Sequence, residues 1–211
     1  IDRRWTDGTV NAQAISRGKD KYVVMYGGLA RHKFMNMDAF ATVVCHEIGH
    51  HLGGIPFRGD YTNEGQSDYY ASLKCMRIYY NAYPENLEVD LTQIPQIVQE
   101  KCLTNFTDIV LQKVCMRSSM ATLNAAYLLS ELEGSTTKPD FTTPDPKEVT
   151  RTDMFHPRAQ CRLDTFFQGA MCEVSHIVEM DRTDYRNGAC FAPQNKEGFR
   201  PRCWFAPPTG P

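Results

Sequence analysis

Residues 46–50 (HEIGH) place two imidazoles and one carboxylate at a spacing that suits metal chemistry. Residues four apart lie on the same face of a helix, about 6 Å apart along its axis, so His46 and His50 can reach one metal ion. Imidazole nitrogens at roughly 2.0–2.1 Å are common zinc ligands. Glu47 projects about 100° around the helix from His46, where it can take a proton from a metal-activated water. The spacing therefore predicts a zinc-binding helix with Glu47 as general base.

A second acidic pair, Glu64 and Asp68, is also four residues apart and opens the next predicted helix. A catalytic zinc ion takes three protein ligands and leaves one position open. Glu64 can be the third ligand, and Asp68 can accept a hydrogen bond from the far nitrogen of a ligand histidine. Both carboxylates also suit the dipole at a helix N-terminus, and this structural role is compatible with the first. We expect one zinc ion per chain, held by His46, His50 and Glu64.

The elements that must position these residues are mostly helical. Residues 21–30 (KYVVMYGGLA) are rich in β-branched and aromatic side chains, which favours a strand. Asp38 is a predicted N-cap for the zinc-binding helix, and Gly53 follows its last residue. Apolar residues at helical spacing, together with capping and stop residues, predict five helical segments. These segments cover residues 39–52, 64–82, 92–102, 107–132 and 157–169.

The predicted fold is α+β and mainly α, with a small sheet packed on the two site helices and with disulfides that cross-link the chain. A length of 211 residues fits one domain, because domains have roughly 100–200 residues. Within this single domain, 1–211, we expect a helical hairpin insertion at about 92–133 and an exposed loop at 134–155. We expect residues 1–20 to be loop with at most a short helix or strand, and the tail, 181–211, to be irregular.

Eight cysteines are the unusual part of the composition. Their even number fits four disulfides formed in an oxidising compartment, such as the periplasm or the outside of the cell. None lies in a CxxC pair, which argues against a cysteine zinc site; eight buried thiols are the alternative. We predict the pairs Cys102–Cys115 and Cys190–Cys203, and links from the zinc-site helices to the last predicted helix for the other four. Such a link at Cys45 would hold the zinc-binding helix in place.

Charge and hydropathy argue against two classes of partner. The formal net charge is -2, from 23 basic and 25 acidic residues, and no basic stripe suits nucleic acid. The longest nearly apolar run, residues 22–30, is too short to cross a bilayer. The chain begins at Ile1 without Met or an apolar leader, which we interpret as a mature or trimmed product. We therefore expect no nucleic acid partner and no transmembrane segment; nothing in the sequence indicates an oligomeric state.

The HEIGH segment, followed by a helix with an ExxxD pattern, resembles the gluzincin metallopeptidases. Three further segments are similar to the branch that contains the HtpX-like and BepA-like proteases and the CAAX prenyl endopeptidases. They are the strand region from Val10 to Ala30, the EGQSD sequence at 64–68, and His156-Pro157 followed by Arg162. All occur in the family's order and cover about residues 10–165, and this order carries the resemblance.

The resemblance implies a zinc-dependent endopeptidase of mainly helical build, with one small sheet, that acts on peptide or protein substrates. Carried over by motif, it implies that His46, His50 and Glu64 bind zinc. It also implies that Glu47 is the general base and that Asp68 supports a ligand histidine.

The same resemblance implies that His156 and Arg162 help to stabilise the oxyanion. A hydrolytic metal site needs a hydrogen-bond donor there, and histidine or arginine can supply it. From the residues alone, His156 could equally be packed at the start of the last helix, and Arg162 could be a structural ion-pair partner. The resemblance also implies that an edge strand near Gly28, Leu29 and Ala30 binds the extended substrate by strand addition.

The chain departs from this family at several points. Only 13 residues lie between His50 and Glu64, where relatives insert a longer and often membrane-bound segment. Ser67 stands where alanine is common, and relatives are not usually cysteine-rich. Two alternatives therefore stay open. One is a latent or non-catalytic, zinc-stabilised binding or chaperone-like protein of the same fold; the other is a zinc hydrolase whose substrate is not a peptide.

Overall fold

The computed structural model describes residues 1–191 and 197–208, and predictions for the rest of the tail lie outside these residues. Five strands and seven α-helices occur in the described part. The strands are β1 (Asp2–Arg4), β2 (Ala12–Arg17), β3 (Asp20–Tyr26), β4 (Phe57–Arg58) and β5 (Tyr61–Thr62). The helices are α1 (Gly27–Ala30), α2 (Met37–Leu52), α3 (Glu64–Tyr70), α4 (Met76–Ala82), α5 (Gln96–Asn105), α6 (Ile109–Leu132) and α7 (Ala159–Met171). The expected class, α+β and mainly α, is confirmed.

The larger sheet has the strand order β1-β3-β2, with β3 in the centre. β1 is parallel to β3, and β2 is antiparallel to it across a tight turn in which Gly18 has a φ of 61°. Glycine adopts such a positive φ without steric cost. The expectation that residues 1–20 are loop with at most one short element is wrong, because this segment contains two strands, β1 and the six-residue β2. Its small and polar side chains (AQAISR) carry little of the apolar alternation that marks a strand.

Helix α2, which carries His46 and His50, packs against the sheet through an apolar cluster that also contains Leu128 of α6. Its N-cap is Asn36 rather than the predicted Asp38, because Asn36 Oδ1 accepts a hydrogen bond from the Ala39 amide at 2.9 Å. Asp38 lies instead in the first turn, where its charge suits the helix dipole. The helix ends at Leu52 with Gly53 as its cap, as expected.

Helices α2 and α3 approach each other closely. A Cβ atom on Gly49 would lie 2.8 Å from the Ser67 carbonyl oxygen, so only glycine permits this packing. Asn63 caps α3, and a π-helical turn, Ala71–Cys75, connects α3 to α4. The predicted helical stretch at 64–82 is therefore one run with a wider turn in its middle.

The predicted helical hairpin is formed by α5 and α6, and α7 packs against α6. Apolar residues of all three helices share one core cluster, among them Val98, Cys102, Leu163 and Met171. Helix α5 begins four residues later than expected, because Pro95 caps the helix instead of lying in its first turn.

All eight cysteines form disulfides, as predicted. The pairs are Cys45–Cys75, Cys102–Cys115, Cys161–Cys203 and Cys172–Cys190. The expected pair Cys102–Cys115 is confirmed, whereas Cys190–Cys203 is wrong. The expected links from the site helices to α7 are also wrong, because the Cys45 disulfide joins α2 to the turn after α3. The two ends of α7 are instead each linked to the tail.

The four disulfides fit a protein that matures in an oxidising compartment. Among residues 1–191 and 197–208, no helix combines the length and the apolar character that crossing a membrane requires.

Candidate metal centre

Helices α2 and α3 bring the three predicted ligands together. His46, His50 and Glu64 each offer one ligand atom, and these atoms all lie within 4.8 Å of one another. His46 Nε2 is 3.3 Å from Glu64 Oε2, and His50 Nε2 is 3.7 Å from Glu64 Oε1. The two histidines lie one turn apart on α2, and Glu64 is the first residue of α3. The close packing of the two helices thus creates the cluster.

The far nitrogen of each histidine is already engaged, which leaves its Nε2 available to a metal. His46 Nδ1 is 2.7 Å from Asp68 Oδ1, and His50 Nδ1 is 2.8 Å from the Thr62 carbonyl oxygen. Such partners fix the orientation of a ligand imidazole and increase its basicity. Asp68 therefore has the supporting contact that was predicted for it.

The donor set fits a divalent transition metal ion. Glu64 Oε2 is buried and has no hydrogen bond of acceptable geometry, although His46 Nε2 is 3.3 Å away. A buried oxygen without a partner is costly, and a metal ion would satisfy it. In a tetrahedral shell with bonds of about 2.0–2.1 Å, two ligand atoms lie about 3.3 Å apart, close to the observed separations. Two imidazoles and a carboxylate suit zinc, and the same donors also accept related ions.

The charges around the cluster favour a protonated His46 and a neutral His50 in the metal-free protein. Burial lowers the pKa of His46, but the adjacent Asp68 carboxylate outweighs burial and raises this pKa to about 10. Burial and the neighbouring His46 lower the pKa of His50 to about 4. Burial opposes ionisation of Glu64, yet the hydrogen bond with His156 and the positive charge of His46 hold its pKa well below the usual range. A metal ion on His46 Nε2 would therefore displace one proton.

Glu47 lies beside the ligands and is only 6 % exposed. Burial raises the pKa of its carboxyl above the usual range, His46 opposes this rise, and Glu64 adds to it. The backbone amide of Ala14, in β2, also hydrogen-bonds to Glu47 and lowers its pKa. Glu47 thus connects the ligand cluster with the sheet. A buried carboxylate with a raised pKa is suited to accepting and returning a proton.

Arg162 is a buried ion-pair partner of Asp68. Its Nε donates to Asp68 Oδ2 and its Nη2 to Asp68 Oδ1, both at 2.7 Å. Its Nη2 is also 3.3 Å from His46 Nδ1 and 3.9 Å from Glu64 Oε2. Arg162 therefore ties α7 to both ligand-bearing helices. The structural alternative for Arg162 is confirmed, and its oxyanion role stays a prediction.

His156 reaches the cluster from the segment before α7. Its Nε2 is 3.0 Å from Glu64 Oε1, while its side chain is 67 % exposed. Helix α7 begins only at Ala159, so His156 is not packed at the start of that helix. Its position beside a metal ligand agrees with the prediction, and its part in catalysis stays a prediction.

The tail contacts both the segment before His156 and the start of α3, and thereby positions that segment beside the site. This role was not predicted from the sequence. The Asp153 amide donates to the Trp204 carbonyl oxygen at 2.7 Å. The Trp204 ring packs on Gly65, where a Cβ atom would lie 2.3 Å from the ring. Asn63, the N-cap of α3, donates from Nδ2 to the Asp153 carbonyl oxygen at 2.8 Å. In the sequence, only the position of Asn63 directly before a predicted helix indicated part of this arrangement, namely the N-cap of α3.

The predicted substrate strand at Gly28, Leu29 and Ala30 is wrong. These residues form the helical turn α1, and the strand before them, β3, is paired on both edges. A Cβ atom on Gly28 would lie 2.1 Å from the Gly8 carbonyl oxygen, so the chain turns here against a neighbouring loop. The edge strand beside the metal ligands is β2, and of the three predicted residues only Leu29 lines the adjoining cavity.

The ligand cluster and Glu47 open into one cavity of about 780 Å³. Ligand sites typically have volumes of about 300–1,000 Å³. The walls come from β2, the β4–β5 hairpin, α6 and the segment around His156. The cavity therefore joins the metal ligands, a strand edge and an apolar helix face in a single space.

Comparison of the chain with protein-family models, with curated proteins and with solved structures found no match. The resemblance to the gluzincin metallopeptidases therefore stays a prediction that rests on the motifs.

Proposed function

We propose that the protein is a zinc-dependent endopeptidase. The observation that carries this proposal is the grouping of three ligand atoms within 4.8 Å, with Glu47 beside them in the same cavity. His46, His50 and Glu64 would hold one zinc ion per chain and leave one position open, as catalytic zinc sites do. The bound ion would polarise the scissile carbonyl and make a water molecule more acidic.

The chain's own residues would carry out the proton transfers and the positioning. Glu47 would remove a proton from the attacking water and deliver it to the leaving amine, which its raised pKa supports. Asp68 would keep the His46 ring in its ligand orientation through their contact of 2.7 Å. His156 would donate a hydrogen bond to the developing oxyanion, and the buried charge of Arg162 would add to its stabilisation.

An extended peptide or protein segment would bind along β2. Alternate residues of a strand present their N–H and C=O groups to the same edge. The Ser16 amide donates to Tyr61 Oη at 2.8 Å, away from β3. Ala12 would therefore present its amide and carbonyl groups, and Ala14 its carbonyl group, to an added strand, while the Ala14 amide is already bonded to Glu47.

The substitution Glu47→Gln tests the proposal. The amide keeps the shape of the side chain but cannot accept the proton, so cleavage of peptides and denatured proteins should fall by about 10²–10⁴-fold. Zinc content, measured by mass spectrometry, should stay at one ion per chain. Glu100→Gln, on the exposed face of α5, is a matched control that should leave both quantities unchanged. Cleavage at the wild-type rate by Glu47→Gln would exclude Glu47 as the base.

A second candidate is a latent or non-catalytic, zinc-stabilised binding or chaperone-like protein. The 3.0 Å contact between His156 Nε2 and Glu64 Oε1 favours it, because a histidine at that distance can take the remaining metal position. The substitution His156→Ala separates the candidates. Cleavage should rise in this variant if His156 blocks the site and fall if His156 stabilises the oxyanion. If the wild-type protein and the His156→Ala variant both bind zinc and neither cleaves peptides, the protein is a binding protein.

We propose the periplasm or the outside of the cell as the place where the protein works. The support is the set of four disulfides, since thiols are kept reduced in most cytosols. Free-thiol titration of the unfolded protein purified from its native source should find no free cysteine; eight would contradict this location.

A further inference from the structure

One face of α6 lines the cavity with apolar side chains. Ala125, Leu128, Leu129 and Leu132 all lie along the cavity wall. They occupy positions i, i+3, i+4 and i+7, which form a single stripe on a helix. Leu128 is buried at the base of this stripe, where it packs with Leu29 and residues of β3. Leu132, at the other end, is 56 % exposed.

Two apolar side chains on the site-bearing helices extend the apolar lining of the cavity. Val43 lies one turn before Glu47 on α2, and Phe166 lies one turn after Arg162 on α7; both line the same cavity. One helical turn corresponds to about 5.4 Å. The apolar stripe of α6, together with Val43 and Phe166, therefore lines the same cavity as Glu47 and the three candidate ligands.

Another part of the cavity wall is polar. Arg58, Tyr61 and Asn63, in or next to the β4–β5 hairpin, line it together with His156. A peptide that lies in this cavity would thus meet both apolar side chains and hydrogen-bonding groups. Such a site holds the main chain by polar contacts and sorts side chains by size and hydrophobicity.

We propose that the α6 stripe is a side-chain subsite that selects substrates with a large aliphatic or aromatic residue next to the cleaved bond. Ala125 sets the depth of this subsite, because it is the smallest side chain in the stripe and is 3 % exposed. Leu129 sets its width from the neighbouring position. This inference deepens the proposed endopeptidase function and depends on it for the cleavage readout.

The experiment compares matched peptides that differ at one position, with Phe, Leu, Ala or Asp beside the cleaved bond. Each step in size in an apolar pocket changes kcat/KM by about 10- to 200-fold, so the wild-type protein should cleave Leu and Phe peptides at least 10-fold better than Ala peptides. Ala125→Leu fills the subsite and should lower the Leu-to-Ala ratio by 10-fold or more. Leu129→Ala widens it and should raise the Phe-to-Leu ratio.

The two substitutions are chosen because their expected shifts have opposite signs. A variant that is only partly folded loses activity on all peptides equally and keeps its ratios, so the ratios report the subsite alone. Ile109→Ala is the control, because Ile109 is exposed on the same helix and does not line the cavity. Ratios that stay within twofold of the wild type in both cavity variants would overturn the proposal.

A binding measurement separates this inference from the proposed function. Zinc-loaded Glu47→Gln protein should bind a fluorescent Leu peptide more tightly than the matched Asp peptide by 10-fold or more. In the double variant Glu47→Gln, Ala125→Leu, the two peptides should bind with the same affinity. If the wild-type protein cleaves none of the peptides, the endopeptidase proposal fails, while the binding ratio still decides the subsite. Cleavage without side-chain preference would leave the endopeptidase standing and refute the subsite.

Discussion

The substitution Asp68→Asn perturbs the support of the metal centre without touching a ligand. Asp68 has no exposed surface and accepts three contacts, all of 2.7 Å. Two come from Arg162 and one comes from His46 Nδ1. An asparagine has one acceptor oxygen, so at least one of these donors loses its partner. The variant should therefore bind zinc more weakly and should also be less stable without zinc.

The magnitudes follow from these contacts. Loss of a carboxylate behind a ligand histidine typically weakens metal binding by about 10- to 100-fold, which corresponds to about 1.4–2.8 kcal/mol. Asp68 also raises the pKa of His46 to about 10, so its loss removes competition from a proton. Zinc carries twice the charge of that proton, so the Asp68 carboxylate stabilises bound zinc more than it stabilises the proton. Loss of the carboxylate should therefore still weaken zinc binding. Breaking the buried pair with Arg162 should cost about 3–5 kcal/mol of unfolding free energy.

Two assays measure these effects. Competition with a chromophoric chelator gives the zinc affinity, and guanidinium denaturation after zinc removal gives the unfolding free energy. Asp60→Asn is the control, because Asp60 is an exposed carboxylate in the turn between β4 and β5. An Asp68→Asn protein with wild-type zinc affinity would refute the proposed support of His46. Unchanged zinc-free stability would refute the importance of the Arg162 pair.

Two further predictions concern stability. Replacing both Cys161 and Cys203 by serine opens a loop of 42 residues. The entropy of this loop in the unfolded chain should lower the unfolding free energy by about 4 kcal/mol. A loss below about 1 kcal/mol, measured by guanidinium denaturation, would contradict this. Burial, and then Arg77, lowers the pKa of Lys74 to about 7. Because the folded pKa is below the unfolded value, wild-type stability should rise as pH increases from about 7 toward 10. Lys74→Met should lack that rise, and parallel pH dependence of the two proteins would count against it.

The local features of the fold could be predicted from the sequence because they depend on residues close together in the chain. The HEIGH segment lies within one helix, and residues 64–68 lie within the next, so their spacing alone puts the ligands on the correct faces. The long helix α6 follows from its apolar period in the same way. Glu64 could be predicted as a third candidate ligand because its own helix carries a second spaced pair with Asp68.

The features that were missed depend on contacts between distant segments. Strand β2 is defined by its pairing with β3 and its exposure to the cavity, and only Gly18 in the connecting turn signals it locally. The disulfide partners of Cys161 and Cys172 follow from the path of the tail past the two ends of α7. Sequence proximity favoured the wrong pair because it contains no information about that path. The apolar stripe of α6 has the same sequence pattern as a core-facing helix, so the cavity beside it is visible only in the structure.

The most direct test of the account is a zinc titration of metal-stripped protein, with peptide cleavage measured after each addition. We expect no cleavage by the stripped protein, a linear rise in cleavage with added zinc, and saturation at one zinc ion per chain. A His46→Ala, His50→Ala double variant should bind no zinc in this range and should stay inactive. Cleavage by stripped protein, or saturating zinc that restores none, would contradict the proposed metal-dependent endopeptidase.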